Sequence, residues 1–148
     1  VERAVSAIRP EVVITHPYEG GHPDHDATAL AAAVACRRAG VELVEMTSYH
    51  AVPEGIVVGR FIPMGTRPVA LPLDEAARER KRRMLAAFAT QARTLAQFPV
   101  GMAEWLRPAP DYDFTRPPHE GRLLYERYGW RMTGARFREL ARLAETPA

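Results

Sequence analysis

Glu11-Val12-Val13-Ile14-Thr15-His16-Pro17-Tyr18-Glu19-Gly20-Gly21-His22-Pro23-Asp24-His25-Asp26 is the stretch that decides the fold class. Its first five residues form a β-branched run between Pro10 and Pro17, the pattern of a short strand buried on both faces, as in a parallel sheet. His16 to His22, with Pro17 and the Gly20-Gly21 pair, reads as a loop. Asp24 to Arg38 then carries a helical pattern, and Gly40 supplies its C-terminal stop. The unit is strand, loop, helix.

Upstream, residues 2–8 read as a helix closed by Arg9-Pro10, because proline lacks a donor and restricts the residue before it. Downstream, Val41 to His50 reads as a second strand and Ile56 to Ile62 as a third, divided by Pro53 and Gly55. The resulting β-α-β order predicts an α/β fold with a largely parallel sheet. From Asp74 to Phe98, the residues Ala77, Met84, Leu85, Phe88, Ala92 and Leu95 recur at three- and four-residue steps, predicting one amphipathic helix with Met84 and Phe88 in the core. Met102 to Leu106 reads as a further helical turn, and residues 108–122, rich in proline and aromatics, as a loop. A last helix has Phe137, Leu140 and Leu143 on one face and Thr133 or Gly134 as its cap. No repeat or linker divides residues 1–148, which read as one unit.

Composition removes several function classes. The longest apolar run, Ala29 to Cys36, is eight residues, against about 20 for a membrane span. The 20 Lys and Arg residues exceed the 18 Asp and Glu residues by only two. Much of the basic charge lies in the run Arg78 to Arg83 on one helix, a solvated face rather than a nucleic-acid footprint. The single Cys36 has no disulfide partner within the chain and suits a reducing, cytoplasmic setting.

Three of the five histidines, His16, His22 and His25, fall beside Glu19, Asp24 and Asp26 on the loop that follows the first strand. Ligands gather at the carboxyl ends of strands in such sheets. In Gly21-His22-Pro23-Asp24-His25-Asp26, the H-x-x-H spacing lets both imidazoles face one site across the helix start. A helix N-terminus disfavours the imidazolium, so His25 in the first turn stays neutral and able to bind a metal. The competing reading makes His22-Pro23-Asp24 a simple turn with Asp24 as cap. Tyr18 and Glu19 are candidates for substrate contact, with Glu19 suited to a sugar hydroxyl. Arg116, Tyr112 and His119 in the Pro-rich loop are further candidates. His50 closes a strand, and Trp105 and Trp130 read as packing, or as stacking platforms for a sugar ring.

Thr15-His16-Pro17-Tyr18-Glu19-Gly20-Gly21-His22-Pro23-Asp24-His25-Asp26-Ala27 resembles the second motif of the PIG-L/LmbE-type zinc-dependent N-deacetylases. Phe88-Ala89-Thr90-Gln91 is similar to a helix segment of that family, and Tyr112 to His119 followed by Leu124-Tyr125-Glu126 looks like the C-terminal region of some bacterial members. The resemblance implies a Rossmann-like three-layer α/β sandwich with a mostly parallel sheet. It implies hydrolysis of an N-acetyl group on a small-molecule substrate, an N-acetylglucosamine-type sugar or sugar conjugate, with one Zn2+ per complete site. On the matching positions, His25 would bind zinc, His22 would stabilise the oxyanion or act as acid, and Asp24 would hold His22 in orientation.

The family's earlier A-H-P-D-D-type motif, which brings further zinc ligands and the general base, has no counterpart here. The expectation is therefore the C-terminal portion of a single deacetylase-like domain, without its N-terminal strands, inactive alone and prone to self-association through an open sheet edge. The alternative is a non-catalytic α/β interaction module, or a subunit that completes its site with another chain.

Overall fold

The computed structural model describes residues 1–145. Helix α1 (Glu2–Ile8) leads into strand β1 (Val12–Thr15), and α2 (Pro23–Ala39) follows the loop at His16 to His22. Pro23 opens α2 with its φ already helical and no donor to lose. Gly40 closes the helix in the left-handed conformation, with its N–H on the Cys36 carbonyl. Strand β2 (Glu42–Met46) then pairs parallel to β1, completing the β-α-β unit.

Beyond β2 the chain departs from the parallel pattern. The expected second strand divides into β2 and β3 (Tyr49–Val52), and the third is β4 (Gly55–Val58), which forms an antiparallel hairpin with β3 in a sheet of their own. Only Pro53 and Glu54 connect these strands, and so short a link makes a hairpin, whereas a parallel crossover needs a dozen residues or more. Strands β5 (Val69–Pro72) and β6 (Ala103–Pro108) complete the main sheet in the order β1-β2-β6-β5. Both β2–β6 and β5–β6 are antiparallel. The described sheet is thus mixed, with a single parallel pair, and not mostly parallel. Residues 102–106, read as a helical turn, lie largely in β6, because pairing on both sides with β2 and β5 outweighs local helical preference.

The long helix expected over 74–98 is also divided, into α3 (Glu75–Ala86), a 3-10 turn at Ala89–Gln91, and α4 (Ala92–Leu95). Asp74 caps α3 by accepting the Ala77 N–H at 2.7 Å. None of the α3 side chains is buried, and Met84 and Phe88 are 62% and 60% exposed. The core assignment for these two residues is therefore overturned. Periodicity reports a helix with an apolar side, but not whether a neighbour is present to receive it.

After α5 (Leu124–Arg127), α6 (Gly134–Glu145) is capped as expected by Thr133, whose hydroxyl accepts the Arg136 N–H at 3.2 Å. The apolar core lies between α2, α6 and the Pro-rich loop, where Tyr18, Ala29, Leu30, Phe114, Phe137 and Ala141 pack together. The loop at 108–122 is an ordered structural part, because it delivers Phe114 to this core.

The two faces of the main sheet are unlike. Helix α2 packs on β1 and β2. Thr15, Glu45 and Arg107 are in register across three strands on one face, and all are buried. The other face carries Val12, Ile14, Met46, Val69 and Leu71, all exposed. The strand pattern expected for burial on both faces is realised on one. No helix among the described residues is long and apolar enough to cross a membrane.

Candidate active site

The loop after β1 is held to the start of α2 by Asp26. Its buried Oδ1 accepts the backbone N–H groups of Gly20 at 3.0 Å and Glu19 at 3.3 Å. One carboxylate thereby fixes the loop against the helix turn that carries His25. Burial, with the charge of Glu19 adding to it, outweighs the two amide donors and pushes the Asp26 carboxyl up to about 7. Its pKa in the unfolded chain is about 3.9. Between these values the folded form binds the extra proton, so charging Asp26 removes stability progressively as pH rises from about 4 to 7. Asparagine keeps the acceptor without the charge. Urea denaturation of Asp26→Asn should show stability that improves relative to the parent from pH 5 to pH 8; a pH-independent difference would refute a raised carboxyl pKa.

Gly20 has φ +70°, a left-handed conformation, and Gly21 lies so close to β3 that an added Cβ would sit 2.0 Å from the Tyr49 carbonyl oxygen. The glycine pair is what allows the loop to pass under the hairpin and present His22.

His22 is the N-cap of α2, with Nδ1 accepting the Asp24 backbone N–H at 3.1 Å. This bond makes Nδ1 the acceptor nitrogen, so the ring proton is on Nε2. Asp24 meets His22 through its backbone N–H. Its carboxylate is 3.8 Å from Nδ1, with the side chain exposed. The N-cap of α2 is His22, and not Asp24.

The His25 ring is stacked on His16, with centroids 3.9 Å apart and planes 5° from parallel. It also meets the Tyr49 ring edge-on at 5.4 Å, and its Nδ1 lies 3.2 Å from Ser48 Oγ. Burial, then the proximity of His16 and His22, pushes the His25 pKa down to about 4. Burial followed by the proximity of His22 lowers that of His16 as well. Both rings are neutral at pH 7, the form in which imidazole binds metal. His16 Nδ1 is buried without a hydrogen-bond partner. These donors suit zinc in kind. Among the described residues, however, no three His, Cys, Asp or Glu side chains converge as a metal-binding group, and catalytic zinc takes three protein ligands. The residues described therefore do not complete a zinc centre.

The other candidates are dispersed. Tyr18 is in the core, and its hydroxyl donates to the Arg116 carbonyl at 2.8 Å. Glu19 is buried, with Oε2 3.2 Å from His50 Nδ1. His50, also buried, thus serves the loop from behind. The exposed Arg116 side chain pairs with Asp113 at 3.2 Å. The rings of His119 and His50 have their centroids 6.4 Å apart. Tyr112 donates to Glu45 at 2.9 Å within the buried Arg107 network.

Sequence reading passed over Ser48, Tyr49 and Phe98 and read Trp130 chiefly as packing. Tyr49 and Phe98 line both cavities that flank the histidines, one of about 670 Å³ on the His22 side and one of about 650 Å³ on the His25 side. Trp130 meets the His22 ring edge-on at 4.8 Å. Its position five residues beyond Leu124-Tyr125 gave no local signal of that contact.

The described residues form an α/β protein whose fold is similar to that of solved deacetylases. It is similar to the solved structure of the A40926 pseudoaglycone deacetylase Dbv21, with 26% identity and a TM-score of 0.52, over 72% of this chain and 52% of that one. It is also similar in fold to the zinc-inhibited form of the teicoplanin deacetylase Orf2, with 19% identity and a TM-score of 0.51, over 76% of this chain and 49% of that one. The chain spans about half the length of these solved structures. No protein-family model and no curated protein matches the sequence.

Proposed function

We propose that these residues supply one part of a deacetylase site that hydrolyses the N-acetyl group of an N-acetylglucosamine-type sugar or sugar conjugate with the help of zinc. The observation that carries the reading is the α2 start, where a neutral His25 and a His22 with its ring proton on Nε2 each line an open cavity, on a fold similar to Dbv21. Dbv21 and Orf2 are both deacetylases, which agrees with amide hydrolysis, and Orf2 has a zinc-inhibited form.

His25 offers an imidazole lone pair, and the stacked His16 ring shields one face of it from water. In this reading His22 donates Nε2–H to a carbonyl oxygen that gains charge as the amide carbon becomes tetrahedral. His25 would hold the zinc in part, and the metal would supply Lewis-acid polarisation of that carbonyl and a bound water whose pKa is lowered toward about 7. In this reading the remaining ligands and the general base come from outside residues 1–145, as expected for the C-terminal portion of a deacetylase-like domain. The protein works in a reducing, cytoplasmic setting on a small-molecule substrate.

The test is amine release from N-acetylglucosamine conjugates by the zinc-loaded, full-length gene product. Removing an oxyanion donor costs about 10²–10³ in kcat, so His22→Ala should lower kcat by that factor with little change in KM. His25→Ala should also remove the zinc. Parent and His22→Ala proteins with equal rates would sink the reading.

A further inference from the structure

Two residues, Thr47 and Ser48, join β2 of the main sheet to β3 of the hairpin. Both are tied through their backbones. The Thr47 N–H donates to the Trp105 carbonyl at 3.2 Å, and the Ser48 carbonyl accepts the Gly59 N–H at 2.9 Å. The link therefore presents the Ser48 hydroxyl from a fixed backbone, with Oγ 3.2 Å from His25 Nδ1. Ser48 and His25 line the same cavity of about 650 Å³.

The His25 ring has little freedom besides its proton. His16 lies parallel to one face at 3.9 Å and Tyr49 meets the ring edge-on, so packing sets the ring plane. Packing does not set which nitrogen carries the hydrogen of the neutral imidazole. A proton on Nδ1 has an acceptor in Ser48 Oγ. A proton on Nε2 has none among the described residues, and a donor without a partner on a half-buried ring is the costlier arrangement. A hydroxyl, unlike a carboxylate, directs the proton without favouring a second one on the ring. We propose that Ser48 is a positioning residue for His25: its Oγ accepts the Nδ1 proton, and the Nε2 lone pair is thereby left free for a metal ion. The metal rests on the deacetylase reading. The tautomer is argued from the ring's own neighbours.

The experiment is a long-range proton–nitrogen correlation spectrum of the imidazole rings in the metal-free, full-length protein, with His25→Ala to assign the signals. The parent should show His25 protonated at Nδ1 and bare at Nε2. Ser48→Ala should move the proton to Nε2, and Ser48→Thr, which keeps the hydroxyl, should leave it on Nδ1. Zinc affinity, read by competition with a chelator, should fall about 10–100-fold in Ser48→Ala and change by less than about threefold in Ser48→Thr. Should Ser48→Ala fold poorly, Ser48→Cys puts a weak acceptor at the same place and should shift the proton in the same direction. A parent ring protonated at Nε2, or a proton that stays on Nδ1 when the hydroxyl is removed, would overturn the assignment, as would equal zinc affinities in a zinc-binding parent and Ser48→Ala. The tautomer is read without metal or turnover, so the two readings separate. Nδ1–H in a protein that holds no zinc and releases no amine would support the Ser48 contact and remove the deacetylase, whereas hydrolysis by a protein whose metal-free His25 is protonated at Nε2 would do the reverse.

Discussion

Gly21→Ala should destabilise the protein by about 3 kcal/mol, at the upper end of ordinary overpacking costs, and should lower any His22-dependent rate by about 10²-fold. The added methyl would meet the Tyr49 carbonyl oxygen at 2.0 Å, and a backbone atom has no rotamer by which to retreat. Either the β3–β4 hairpin or the loop must shift. The loop is tied to Asp26 at Glu19 and Gly20, so the displacement passes to His22. Gly20→Ala is the instructive comparison. There the contact at 2.6 Å is with the Leu123 Cδ2 methyl, the movable end of a side chain, although φ +70° adds strain. Urea denaturation of both variants should therefore rank Gly21→Ala as the more damaging. A Gly21→Ala protein as stable as the parent would show that the hairpin does not hold the loop as closely as the geometry has it.

Arg107→Met should cost about 3–5 kcal/mol, the usual range for leaving one member of a buried ion pair alone. Arg107 Nε donates to Glu45 Oε1 at 2.6 Å and Nη1 to the Ile62 carbonyl at 2.8 Å, while its guanidinium lies 4.2 Å from the Phe61 ring centroid. Glu45 is fully buried, and Tyr112 is its other donor. Burial, with Glu45 beside it, holds the Tyr112 phenol above its ordinary range, so it remains a neutral donor and does not replace the lost cation. Stabilities of proteins this size are about 5–15 kcal/mol, so the loss is a large share of the total. The double variant Arg107→Met with Glu45→Leu should recover most of it, since no charge is then left without a partner. A single-variant loss below about 1 kcal/mol would mean that water reaches Glu45.

The parts of the fold that could be read in the sequence were those with local causes. Pro23 and Gly40 bound α2 because each acts through its own φ and its own donor, and Arg9-Pro10 closes α1 for the same reason. The histidine cluster could be read because strand end, loop and helix start fall within sixteen residues. The roles inside it were less accessible. Glu19, taken as a substrate contact, is turned inward by a pairing with His50, 31 positions away. The β5–β6 pairing was missed because short strands with Pro72 and Pro108 in them have no reliable period, and their partners lie far along the chain. Met84 on α3 and Phe88 just beyond it show the converse, apolar positions that the pattern marked but whose surroundings it could not supply.

The uncovered sheet face has a calorimetric consequence. Because Val12, Ile14, Met46, Val69 and Leu71 already meet water in the folded state, unfolding exposes less new apolar surface than the chain length suggests. The heat-capacity increment should fall below the usual figure of about 12–15 cal/mol/K per residue, giving a shallow stability curve that changes little with temperature. Anything that seats on those five side chains would return the missing increment as a negative heat-capacity change of association, visible as a binding enthalpy that grows more favourable on warming.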